Sequence, residues 1–235
     1  MLRHRLDLVE PLSDGAVRAI DRLDCRIERF SAGQHLLREG ETPTACTLLL
    51  TGFIYRHKIV GAGGRQIVAI ALPGDLIDVQ QVLLKEADHN VQVLTDATVA
   101  RFAASDLIAA GESCPELTRA LWHYALIEAS ITREWIANIG RRDARTRVAH
   151  LLCELATRFE NAGLGPRQAF ELPMTQEQLG DALALTAVHV NRTLKALEAD
   201  GLILRTKRAV TVADWGRLQS AGDFDTTYLH LRDLR

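Results

Sequence analysis

The chain has 235 residues, 47% hydrophobic and 25% charged, the make-up of a folded protein with one large or two ordinary domains. No apolar run approaches the ~18 residues of a membrane span. The amino-terminal MLRHRLDLVEPLSD lacks the apolar core of a secretory signal, so a cytoplasmic protein with no membrane partner is expected. The formal net charge of −2 gives no overall attraction to nucleic acid, but cations concentrate in RRDARTR, near residue 192 and in RTKR. Such local patches set phosphate attraction.

An amphipathic helix is predicted around Ser13 to Leu23, with Ser13 as its cap. From Ile27 to Arg101, short runs rich in Val, Ile, Leu and Thr alternate with Gly and Pro, which predicts a β-barrel or sandwich-like roll. GAGG at 61–64 lies between two such runs without a following Lys-Ser/Thr or helix, so it reads as a hairpin turn, not a phosphate loop. A short helix begins around Ala104 to Leu107, with Ser105 as cap.

Pro115 opens the longest helical stretch, PELTRALWHYALIEASITREWIANIG. Leu117, Leu121, Tyr124, Ile131 and Trp135 form one apolar stripe; Trp122, Ala125, Ala129, Thr132, Ile136 and Ile139 form a second. A helix with two apolar faces must be covered twice. The small residues in the second stripe suit pairing with a helix of a second copy. Gly140-Arg141-Arg142-Asp143 reads as a break and hinge, and a helix over Arg145 to Phe159 follows.

The segment MTQEQLGDALALTAVHVNRTLKALEADG, 174–201, reads as two short helices joined at Ala184-Leu185-Thr186. Thr175 with Gln178 predicts a capping box, and Thr186 caps the second helix. Gly180 leaves room for close packing, and Gly201 stops the second helix. Val190, Leu194 and Leu197 make the buried stripe. At about 100° per residue, Val188, Arg192 and Lys195 fall almost opposite it, with Asn191 to one side. Arg and Asn read guanine and adenine bidentately, and an apolar group fits the thymine methyl. This predicts a helix-turn-helix bound to double-stranded DNA. LILRTKRAVTV then reads as a two-stranded wing with a basic tip at Lys207 and Arg208, and Asp214 as the cap of a last helix.

TQEQLGDALALT, VHVNRTLKALE and the following GLI resemble the helix-turn-helix of the Crp/Fnr transcription regulators. GRRDARTRVAHLLCELATR is similar to that family's hinge and first DNA-domain helix. LLLTGFIYRHK, GRQIVAIALPGDL and VQVLTDATVARF are similar to its cyclic-nucleotide-binding-type roll, and FDTTYLHL to a tail of one subgroup. The resemblance implies an α+β fold: a jelly-roll-like effector-sensing domain over 1–112, a dimerisation helix and hinge over 113–140, and a winged helix-turn-helix domain over 141–235. It implies a homodimer with Trp122, Ala125, Ala129, Thr132 and Ile136 at the interface, and RNA polymerase as a further partner. DNA contact is expected from Thr186, Ala187, Val188, His189, Asn191, Arg192 and Lys195. Thr175, Gln176, Lys207 and Arg208 are the phosphate candidates.

Nucleotide-binding members of the family carry a Gly-acidic-Leu segment and, about ten residues on, an Arg for the cyclic phosphate. Gly74-Asp75-Leu76 matches the first, but KEADHNV has no Arg; Lys85 and His89 are the nearest candidates, and Asp88 lies beside them. A carboxylate repels phosphate, so cyclic AMP is not expected to bind in the usual mode. Cys25, Cys46, Cys114 and Cys153 form no CxxC pair and lack the clustered spacing of the oxygen-sensing branch, so they are expected as buried hydrophobes without an iron–sulfur cluster. No metal-ligand spacing and no catalytic motif is present, so no enzyme is expected. The alternative is a ligand-binding regulatory subunit that does not touch DNA, which has no use for an outward Asn191-Arg192 pair.

Overall fold

The structure is a computed structural model and describes residues 1–231, apart from the side chains of Gln81 and Val82. The chain divides into two compact units, residues 1–58, 69–130 and 229–231 in one, and residues 59–68 and 131–228 in the other.

In the first unit, α1 (Leu2–Asp7) and α2 (Asp14–Asp21) precede the strands, and Ser13 Oγ caps α2 by accepting from Ala16 N at 3.3 Å. The strands of the roll are β1 (Cys25–Phe30), β2 (His35–Leu37), β3 (Ala45–Thr51), β4 (Ile54–Val60), β5 (Gly64–Ala71), β6 (Leu76–Ile77), β7 (Asn90–Val93) and β8 (Ala97–Ala103); residues 59–68, the end of β4, the turn and most of β5, belong to the second unit. They form two four-stranded sheets, ordered β1-β8-β3-β6 and β2-β7-β4-β5. Alternating side chains such as Val91 and Val93 point inward, where they meet Leu49, Ile54 and Val99. The GAGG segment is the β4–β5 turn; Gly61 and Gly63 have φ of 57° and 99°, which a side chain resists.

The other face of the first sheet packs on Leu6, Ile20, Leu117 and Tyr124 and on Leu107 of α3 (Ala104–Ser113). Ser105 does not cap α3. The helix begins two residues earlier, at Ala104 with Ala103 in the cap position; Ala104 N donates to Thr44 O at 3.0 Å, and Ser105 Oγ turns to Asp106 at 3.2 Å.

Helix α4 (Pro115–Arg141) buries Leu117, Leu121, Tyr124, Ile131 and Trp135, as its first stripe predicts. It does not break at Gly140. One glycine costs ~1 kcal/mol in a helix, too little to end one of 27 residues, and only Arg142 and Asp143 separate it from α5 (Ala144–Asn161). Asp143 caps α5 by accepting from Thr146 N at 2.8 Å.

In the second unit, α5 is followed by β9 (Ala169–Glu171), α6 (Gln176–Leu183), α7 (Ala187–Ala199), β10 (Ile203–Thr206), β11 (Ala209–Val212) and α8 (Trp215–Ala221), capped by Asp214. The wing is a sheet of order β10-β11-β9. Its third strand, β9, has only three residues, too few for an alternation pattern to reveal.

Candidate nucleic-acid interface

Three backbone features build the two-helix motif. At the start of α6, Gln178 N donates to Thr175 Oγ1 at 3.2 Å and Thr175 N donates to Gln178 Oε1 at 2.8 Å, the predicted capping box. The turn is closed by Ala184, left-handed at φ 53°, and by Leu185 N donating to Gly180 O at 3.0 Å. A Cβ on Gly180 would sit 2.4 Å from Leu185 O, so the glycine admits the turn itself rather than the body of the second helix. Thr186 Oγ1 accepts from His189 N at 3.2 Å and starts α7. Leu179, Leu183, Val190, Leu194 and Leu197 are buried. Closing this core orients the opposite face of α7 outward.

That face carries Val188, Arg192 and Lys195. Val188 is 79% exposed. Among the described residues, Arg192 and Lys195 are exposed and have no carboxylate partner. Asn191 is half-buried and donates through Nδ2 to Gln176 Oε1 at 3.0 Å, so these two side chains tie α7 to the first turn of α6. Thr175 and Thr186 present hydroxyls at the two helix starts, with Ala187 and His189 half-buried beside them. Lys207, left-handed at φ 57°, and Arg208 form the exposed wing tip. Leu172 N donates to Arg208 O at 2.8 Å and anchors that tip to the strand leading into α6.

Most of the other cations expected to form patches are engaged within the chain. Arg205 pairs with Glu198 at 2.7 Å and Arg145 with Asp200 at 2.6 Å. Arg142 meets Glu134 at 2.6 Å, and Arg147 donates to the carbonyls of Arg142 and Leu183. RRDARTR is therefore mostly a structural element. Along α4, Trp122, Leu126 and Ile136 are 62–64% exposed, with Ala129 and Thr132 exposed and Ala125 half-buried between them. Leu126 belongs to this face and is absent from the stripe drawn on sequence, because it sits one helical turn from Trp122 rather than on the small-residue row.

Residues 27–113 match the cyclic nucleotide-binding domain and residues 146–221 the Crp-like helix-turn-helix domain. The chain is 31% identical over 201 residues to the transcriptional activator protein FnrL of Cereibacter sphaeroides, covering 83% of this chain and 79% of that protein. It is 29% identical over 209 residues to the nitrogen fixation regulation protein FixK of Bradyrhizobium diazoefficiens, covering 89% and 86%. The solved structure of FixK2 from Bradyrhizobium japonicum superposes with a TM-score of 0.79 at 25% identity, covering 85% of this chain and 98% of that one. The chain belongs to the Crp/Fnr family of transcription regulators. It is a DNA-binding regulator and not an enzyme.

Members of the Crp/Fnr family carry a domain of the cyclic-nucleotide-binding type, and in this regulator the residues of the cradle do not fit a cyclic nucleotide. Asp75 is buried, accepts from Leu72 N at 2.8 Å and pairs with Arg5 at 2.7 Å. Gly74 is left-handed, and the backbone of Leu76 is bonded on both sides to the Tyr124 hydroxyl. Arg56 pairs with Glu128 at 2.6 Å and with Asp78 at 3.4 Å; burial opposes its charge, and those two carboxylates outweigh burial and hold it. The space they enclose is about 10 Å³, room for roughly one water. The arginines here, Arg5 and Arg56, already have carboxylates, and a phosphate placed among them would meet the charges of Asp75, Asp78 and Glu128.

His89 is not a surface histidine. It is buried, with Nε2 3.0 Å from Asp78 and Nδ1 2.7 Å from Asp88. Burial pushes its pKa down, but hydrogen bonds to the two aspartates prevail and raise it. Lys85 is exposed on the preceding loop. Cys46 and Cys153 are buried, with thiols pushed by burial up to about 12. Cys25, expected inside, is exposed on edge strand β1, and Cys114 is half-buried. Among the described residues, no three His, Cys, Asp or Glu side chains are grouped to hold a metal ion.

Proposed function

We propose that this regulator binds a two-fold-related operator as a homodimer in the cytoplasm, with α7 reading bases and the wing gripping phosphate. The observation that carries the reading is the outward face of α7, where an exposed valine and two unpaired cations lie over a fully buried stripe. Val188 meets a thymine methyl, Arg192 forks to a guanine, and Lys195 lies along the backbone. Asn191, fixed by Gln176, orients α7 and keeps its side-chain carbonyl as an acceptor. Thr175, Gln176, Thr186, Ala187 and His189 crowd the edges of the groove, and Lys207 and Arg208 meet phosphate. The dimer closes through Trp122, Ala125, Leu126, Ala129, Thr132 and Ile136, an apolar stripe that a lone α4 exposes to water. Regulators of this family are typically dimeric. RNA polymerase is the further partner through which a bound dimer acts on transcription.

The cradle residues Gly74, Asp75, Leu76, Lys85 and His89 do not form a nucleotide site on this reading, because the ionic network fills that space. Any effector therefore enters by another route than a cyclic phosphate clamp. Selection of bound sequences from random duplexes tests the assignment. A two-fold sequence with half-sites about one helical turn, ~34 Å, apart is expected. Ala129→Arg is expected to yield monomers by sedimentation and weak binding to that sequence. Recovery of no common sequence, or a wild-type monomer at micromolar concentration, overturns the reading.

A further inference from the structure

The interior of α5 carries charge that the DNA-reading surface does not use. His150, Glu154 and Arg158 occupy successive turns of one helix face, and all are buried; Glu154 is fully enclosed. A buried carboxylate is tolerated only when its lone pairs are filled. Three donors fill those of Glu154. Trp135 Nε1, from the last turns of α4, reaches Oε2 at 3.0 Å and Oε1 at 3.2 Å. Arg158 Nη1 reaches Oε1 at 3.2 Å, and the Tyr228 hydroxyl donates to Oε2 at 2.8 Å. Tyr228 comes from the segment after α8, so one carboxylate joins α4, α5 and the tail.

A second set of contacts joins the same three pieces. Arg142, between α4 and α5, pairs with Glu134 of α4 at 2.6 Å and with Asp223 of the tail at 3.0 Å. The tail lies directly on α5 there. A Cβ on Gly222 would sit 2.8 Å from His150 N, and Gly222 O accepts from His150 Nδ1 at 3.1 Å. Phe224 meets the His150 ring edge-on at 5.3 Å, and Tyr228 stacks on it at 5.7 Å. Two helices joined by two residues have a free angle between them unless something spans the joint. Helix α5 packs directly against α7, so that angle sets where the reading helix points.

We propose that residues 222–228 are a brace across the α4–α5 joint, with Tyr228 the positioning residue that, through Glu154 and Trp135, holds the reading helices at the separation a two-fold operator requires. The brace acts on the geometry of the pair and not on the contacts of one reading head. This rests on the dimeric, two-fold reading above, and the experiment separates the two. Binding is measured to a duplex carrying the selected two-fold sequence, to one carrying a single half-site, and to a set with one base pair added or removed between half-sites. Tyr228→Phe keeps the ring and removes only the hydroxyl; Trp135→Phe removes a second donor and leaves Arg158 in place.

Each variant is expected to bind the two-fold duplex about tenfold more weakly than wild type. Binding to the single half-site is expected within twofold of wild type, and the preference for one spacing is expected to flatten. A merely structural role moves none of the spacing preference. Tyr228→Phe retaining wild-type affinity and spacing preference overturns the brace. Equal losses on both duplexes also overturn it, since the tyrosine then supports only the fold of the reading domain. A wild-type protein with no preference for the two-fold duplex over the half-site overturns the dimeric reading itself.

Discussion

Charge is handled in opposite ways in the two halves of the molecule. Around the cradle of the amino-terminal unit, Arg5, Arg56, Asp75, Asp78, Glu128 and His89 are buried or nearly so and pair with one another. On α7 and the wing, Arg192, Lys195, Lys207 and Arg208 stand in water with no carboxylate partner among the described residues. A buried ion needs its counter-ion at hand, or the desolvation penalty makes it untenable. An exposed cation without a partner loses little by waiting, and a polyanion supplies the partner together with release of its counterions. The same residue types therefore lock one site shut and hold the other open. The pairing state of a cation separates the two roles better than its presence in the sequence does.

The largest expected effect breaks the closed side. Arg56→Met leaves Asp78 and Glu128 facing each other without their cation, and removal of one partner of a buried pair costs ~3–5 kcal/mol. Urea unfolding followed in the amino-terminal unit is expected to show a loss of that size. A loss below about 1 kcal/mol, the scale of a solvent-exposed pair, shows that water already reaches these carboxylates and that the cradle is open. On the other side, Arg192→Ala is expected to lose ~1–3 kcal/mol on the selected operator and much less on random duplex. Val188→Glu is expected to shift preference at one base pair per half-site toward C·G, since a carboxylate accepts from cytosine N4. Binding to a library of single-base operator variants checks both. Equal weakening of specific and random DNA by Arg192→Ala moves Arg192 from base to phosphate.

Much of the open side is legible in the sequence, because its determinants are local. A cap, its partner three residues on, a glycine and a 3–4 apolar stripe specify the helix-turn-helix within 28 residues, and what remains on α7 faces out by elimination. The closed side is not legible, because its partners are distant in sequence. Arg5 meets Asp75, Arg56 meets Glu128, and His89 meets Asp78; no spacing rule predicts these. RRDARTR misleads because composition does not show pairing: Arg142 finds Glu134 in the preceding helix, Arg145 finds Asp200, and Arg147 finds the carbonyls of Arg142 and Leu183. Leucine 126 and β9 escape because one lies beside, not on, the small-residue row and the other is only three residues long.

Two buried histidines carry the comparison into pH. His89 has a raised pKa, held up by Asp78 and Asp88 against burial. Its contribution is fully present below the ordinary value near 6.5 and is lost as pH rises through the higher folded value. His150 has a lowered pKa, because burial beneath the aromatic tail disfavours its charge. Below the same ordinary value the unfolded chain takes up a proton that the folded ring resists, so its contribution is lost as pH falls. Unfolding midpoints measured between about pH 5 and 8 are expected to flatten on the alkaline limb in His89→Gln and on the acid limb in His150→Gln. The same limb flattening in both variants would falsify the assignment of opposite signs.

The smallest effect tests the open side at its edge. Lys207 is a flexible point charge at the wing tip, with no planar fork to read a base. Its backbone is left-handed, and the tip is anchored by the bond from Leu172 N to Arg208 O, so the position is fixed while the side chain is free. Alanine tolerates that backbone no better than lysine does, so Lys207→Ala removes the charge without relaxing the turn. Neutralising one phosphate contributes ~0.9 to the slope of log affinity against log salt. The variant is therefore expected to lose about one unit of that slope per subunit that makes the contact, and to weaken every duplex by the same factor. A loss that depends on sequence would place Lys207 in a groove against a base edge. An unchanged slope would leave the Lys207 side chain in solvent and make Arg208 the cation of the wing tip that meets phosphate.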